Sequence, residues 1–117
     1  EKVFFSFSKC FGLRNYRIGY YWSKTPDRWL EPLNVNAKYY NYHSMGLGEK
    51  LIKNIPIDLV YNTLRPIQLD ICNELNLTPS DVVWLATSDD SCYNKFKRNY
   101  TNRLCVADLI KERYYES

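Results

Sequence analysis

The stretch FSFSKCFGLRNYRIGYYW, residues 5–22, sets how the rest of the chain is read. Ahead of it, Val3 to Ser8 (VFFSFS) is short, apolar and aromatic, the signature of a buried strand. Tyr16 to Trp22 (YRIGYYW) reads as a second strand, and Cys10 to Asn15 turns between them through Gly12. This places Lys9 at a strand end among Phe4, Phe5, Phe7 and Phe11.

In those surroundings desolvation disfavours a charged ammonium, so Lys9 is a candidate amine nucleophile. Arg17 keeps its charge, and its planar fork suits an anion such as phosphate. Ser6 and Ser8 add short hydroxyl donors. A nucleophilic amine beside a phosphate clamp is what an aldehyde cofactor held as a Schiff base requires. Spacing alone also allows a plainer arrangement, in which Lys9 snorkels from the strand end and Arg17 pairs with a surface acid.

Composition narrows the classes. The chain has 117 residues, enough for one modest domain with its own core. Aromatic residues reach 16%, including 11 tyrosines, so some should line a pocket or an interface. A net charge of +3 is too small to argue for nucleic acid by itself. No apolar run approaches the length of a membrane span, so no membrane association is expected. Cys10, Cys72, Cys92 and Cys105 are isolated, and His43 is the sole histidine, which argues against a structural metal site. Buried reduced thiols and a cytoplasmic location are the expectation.

Downstream, Pro26 opens a short helix, PDRWLEPL. Asn36 to Ile55 suggests a helix, a break at Gly46 and Gly48, and a second helix. Val60, Leu64, Ile67, Ile71 and Leu75 mark one apolar stripe on a helix within Ile57–Leu77, with a kink or late start at Pro66. Thr78 to Asp81 reads as a turn and Val82 to Thr87 as a strand. A helix over Ser91–Tyr100 capped from Ser88–Asp90, a strand over Arg103–Ala107 and a helix over Leu109–Tyr115 complete the chain.

Ser6, Ser8, Lys9, Gly12, Arg17 and Gly19 together resemble the lysine motif of fold-type-I, class I/II, aspartate-aminotransferase-like enzymes, S-x-S-K-x-x-G-x-x-G-x-R-x-G. Asn15 is the one departure, where glycine is usual. The resemblance implies pyridoxal phosphate as cofactor and amino-group transfer between amino and keto acids. It implies that Lys9 forms the Schiff base and carries the substrate α-proton, with Ser6 and Arg17, and more weakly Ser8, on the cofactor phosphate. By position, Arg103 at the start of an apolar strand would grip the substrate α-carboxylate.

The resemblance also implies an α/β architecture, or α+β for an isolated segment. Residues 1–56 would be the tail of the cofactor-binding large domain, 57–77 an interdomain helix, and 78–117 a small C-terminal domain of mixed strands and helices. Active sites in that family form between the subunits of a homodimer. The large-domain parts that lie before the lysine in that family would have to come from chain outside this sequence, so the expectation is a fragment that is catalytically incomplete alone.

Two other readings stand beside it. Tyr93 to Tyr100 (YNKFKRNY) interleaves basic and aromatic residues, as a small basic helical module for nucleic acid or a protein partner would; a solvated helix face explains the same pattern. The tyrosines of Tyr39 to Tyr42 could instead form a dimer face in a regulatory remnant.

Overall fold

A computed structural model describes residues 1–13, 16, 18–25 and 42–116. Helices combine with antiparallel sheets, a mixed α and β architecture, in two compact units, Glu1–Ile57 and Asp58–Ser117. The helix expected over Pro26–Leu33 and the tyrosines Tyr39 and Tyr40 lie outside the described residues.

In the first unit β1 (Lys2–Ser6) pairs antiparallel with β2 (Gly19–Ser23), from Lys2 opposite Ser23 to Ser6 opposite Gly19. Cross-strand aromatic pairs hold this ribbon, with Phe4 and Tyr21 at 5.5 Å and Phe5 and Tyr20 at 4.8 Å between ring centres. The first strand is shorter than its apolar run implied. Ser6 Oγ accepts the Ser8 N–H at 3.2 Å, and this side-chain cap ends the strand and opens a single helical turn, α1 (Phe7–Cys10). Phe7 then becomes the buried anchor of the unit, ringed by Phe5, Phe11 and Tyr20.

A second correction concerns α2 (Tyr42–Asn54), which runs without a break through both glycines. Gly48 is there for close approach, since a Cβ would sit 3.4 Å from both Phe7 and Ile18 side chains. Gly46 has open space around it and merely weakens the helix by about 1 kcal/mol relative to alanine.

The second unit begins with α3 (Leu59–Glu74), continuous across the exposed Pro66. Its inward face carries Leu64, Ile67, Ile71 and Cys72, with the amide of Gln68 among them. Leu75 falls off the expected stripe, 44% exposed, because the helix stops there. Asn76 takes a left-handed φ of 53°, and the Leu77 N–H returns to the Cys72 carbonyl at 2.8 Å, sending Leu77 into the core.

That turn launches β3 (Thr78–Pro79), where a plain turn was expected. The sheet continues with β4 (Leu85–Ser88), β5 (Lys97–Arg98) and β6 (Thr101–Cys105) in the order β3-β4-β6-β5, every pair antiparallel. Strand β4 starts later than the Val82–Thr87 run suggested, since Ser80 and Gln68 hold the Val82 and Leu85 carbonyls in a loop.

The helix expected over Ser91–Tyr100 is a 3₁₀ helix only to Phe96, capped by Asp90 on the Cys92 N–H at 2.9 Å. Beyond it the chain forms the β5–β6 hairpin, turning at Asn99 with φ 56°. α4 (Ala107–Glu116) closes the unit over a core of Ile71, Cys72, Leu77, Ala86, Val106 and Ile110.

Arg113 of α4 grips both carboxylate oxygens of Glu74 on α3, the Nη1–Oε1 contact measuring 2.9 Å. This hydrogen-bonded pairing holds the Glu74 carboxyl below its ordinary range. A lowered folded-state value means that the contribution is present above the unfolded carboxyl's range and is lost as pH falls through the folded one. Glu74→Gln should therefore flatten the acid limb of the unfolding midpoint plotted against pH, leaving the neutral-pH midpoint nearly unchanged because the pair is exposed.

Candidate functional site

The lysine motif folds as one local unit. The Phe7 N–H donates to the Ile18 carbonyl at 3.2 Å, and the Phe7 carbonyl accepts from Phe11 at 3.3 Å and Leu13 at 3.2 Å. Gly12 supplies a left-handed φ of 67° that lets the chain turn back. At the far end, Gly19 lies so close to β1 that a Cβ would stand 2.5 Å from the Phe5 carbonyl oxygen. Both glycines thus do backbone work that a side chain would obstruct.

Ser6, Ser8 and Lys9 are brought together around one capped turn. Ser6 Oγ accepts the Ser8 N–H and retains its own hydroxyl hydrogen for a further acceptor. Lys9 closes α1 and is exposed. This corrects the expectation of a desolvated amine. Had the strand continued, Lys9 would have kept its place in the pleat; the helical turn instead gives the buried position to Phe7, 2% exposed, and turns Lys9 outward. Arg17 lies outside the described residues.

Beside the turn, a recess of about 230 Å³ opens between the ribbon and α2, lined by Phe7, Ile18, Tyr20, Met45, Gly48 and Ile52.

Arg103 belongs to the second unit. It sits in the middle of β6, opposite Thr87 and exposed, rather than at the start of a strand. The cysteines also need correction: Cys72 is buried and Cys10 half-buried, but Cys92 and Cys105 are exposed, on the 3₁₀ helix and on the solvent side of β6. Burial pushes the Cys72 thiol up, so it stays protonated as a core residue.

Two features were missed in the sequence. One is the buried amide of Gln68 bonded to Arg65 and to the 80–85 loop; its signal was a polar residue on an otherwise apolar helix face. The other is the β5–β6 hairpin, whose Asn99-Tyr100 turn falls at the end of the residues read as helix. Among the described residues no helix is long and apolar enough to cross a membrane.

No family model, curated protein or solved structure matches the chain.

Proposed function

We propose that the chain is a segment of a pyridoxal-phosphate-dependent aminotransferase, acting on amino and keto acids. The observation that supports this most is the S-x-S-K spacing joined to Gly12 and Gly19 in one hydrogen-bonded hairpin, with Lys9 exposed on its turn. The first unit would then be the end of a large-domain sheet, α3 an interdomain helix, and the remainder a small C-terminal domain. The complete enzyme would be a cytoplasmic homodimer.

The residues fit the aldehyde and phosphate end of the cofactor. An exposed amine stands on the same capped turn as a hydroxyl with a hydrogen to donate. When bound, pyridoxal phosphate supplies the electron sink for cleavage at the substrate α-carbon. Lys9 Nζ would take and return the α-proton. Ser6 Oγ would donate to a phosphate oxygen while it accepts the Ser8 N–H, which would keep the hydroxyl aimed. Arg17 would add a charge-assisted bond to the same phosphate, and Ser8 Oγ a weaker one.

Incubation with pyridoxal phosphate, borohydride reduction and peptide mass mapping tests the reading. Lys9 should be modified well ahead of the exposed Lys2, Lys24 and Lys53, and Ser6→Ala should reduce that preference. Uniform modification of all the lysines would overturn it.

A further inference from the structure

The β5–β6 hairpin presents a surface that the aminotransferase reading leaves unused. Tyr100 occupies the hairpin turn and is 99% exposed, with no packing role in its unit. Lys95, Lys97, Arg98 and Arg103 are all exposed around it, and no acidic residue occurs from Ser91 to Ala107.

The pairing register sorts these groups by face. Arg98 stands opposite Thr101, and Thr101 and Arg103 alternate on β6, so Arg98, Thr101 and Arg103 project from the same side of the sheet. Thr87 opposite Arg103, and Thr78 opposite Thr87, extend that side with hydroxyls. The other side carries Ala86, Asn102 and Leu104 toward the helices and core.

Neither Arg98 nor Arg103 makes a hydrogen bond or ion pair with a described residue. The nearby acids already have hydrogen-bond partners, Asp89 at the edge of this face. Asp90 caps the 3₁₀ helix, and Asp89 accepts from the Thr101 hydroxyl at 3.4 Å. Lys95 lies over the Phe96 ring at 4.9 Å, and that ring is itself 42% exposed.

Two arginines on one side of the sheet, placed diagonally across the β5–β6 pair, suit a repeating anion. A fully exposed tyrosine at the tip suits a flat partner that stacks. We propose that this hairpin and the sheet face behind it bind single-stranded nucleic acid. The phosphates would lie along Arg98 and Arg103, and a base would stack on Tyr100. An acidic protein surface would satisfy the cations and leave the exposed ring without a purpose, so the nucleic acid is the better fit. Neither the aminotransferase reading nor its lysine is needed for this surface.

Fluorescence anisotropy with a labelled oligothymidylate tests the proposal on the whole chain. Binding should weaken with salt at a log–log slope of about −2, as expected when about three phosphates are neutralised. Tyr100→Ala should weaken it about tenfold, and Tyr100→Phe should restore it. Arg98→Glu should abolish it. Both side chains are exposed, so the three variants should share the wild-type urea midpoint, which is measured alongside. Absence of binding at low salt would overturn the proposal. So would binding indifferent to both Arg98→Glu and Tyr100→Ala, or polyglutamate competing as well as the oligonucleotide.

Discussion

Gln68→Ala should lower the stability of the second unit by about 2–4 kcal/mol, the cost of a lost buried side chain and of carbonyls left poorly served. Gln68 is 0% exposed, and its Nε2 faces the carbonyls of Ser80 and Val82 at 3.2 Å and of Leu85 at 2.8 Å. Its Oε1 accepts from Arg65 Nη1 at 2.6 Å, and the same nitrogen reaches the Ser80 carbonyl at 2.6 Å. One amide therefore fixes the loop that delivers β4 to the sheet, and with it the position of β6 and its hairpin.

The measurement is the urea midpoint of that unit, with amide exchange along β4 and β6 to localise the loss. Gln68→Met separates the two contributions. It keeps most of the volume but donates nothing, so it should recover the packing part and still leave the unit about 1–3 kcal/mol short. A methionine variant as stable as wild type would show that the amide does not hold the loop.

This residue also shows where sequence reading succeeds and fails. The stripe of Leu64, Ile67 and Ile71 was legible because packing of a helix face repeats with the helix turn, and all three residues do face the core. Gln68 lies on the same face, yet polarity alone makes it look like solvent. Its burial depends on three carbonyls that come from a loop well downstream, and no local pattern announces them.

Element ends were obscure for a related reason. Ser6, Ser80 and Asp90 each redirect the backbone through side-chain hydrogen bonds to nearby backbone groups. Such a bond terminates a strand or helix without altering the apolar run around it. Strand β5, two residues long, is too short to show any period, so the hairpin merged into an apparent helix.

The candidate site divides in the same manner. The grouping of Ser6, Ser8 and Lys9 was legible from adjacency in the chain, and the turning role of Gly12 from its residue type. The exposure of Lys9 was not. It follows from the strand ending at Ser6, which depends on the cap rather than on the hydrophobicity of VFFSFS. An exposed lysine cannot owe reactivity to burial, so any selectivity at Lys9 must come from what binds beside it. In the proposed reading, that puts more weight on Ser6 and the turn it caps.

Gly19→Ala should therefore damage both the first unit and the behaviour of Lys9. The added Cβ would meet the Phe5 carbonyl oxygen at 2.5 Å, and that oxygen belongs to β1 backbone, which cannot rotate aside as a side chain could. The strands must separate or slip at the Ser6–Gly19 pair, at a cost of about 1–3 kcal/mol. A two-stranded ribbon has little stability to lose. Amide protection over β1 and β2 should fall by at least about fivefold, and the preference of pyridoxal phosphate for Lys9 should decline with it. The second unit should keep its exchange pattern. Gly46→Ala is the matched control in the same unit: nothing stands within 4 Å of its added Cβ, so it should leave both readouts intact and strengthen α2 by up to about 1 kcal/mol. If Gly19→Ala instead preserves the protection and the Lys9 preference, the strands do not approach as closely as the geometry requires. The pairing of Ser6 with Gly19 would then have no part in positioning the amine.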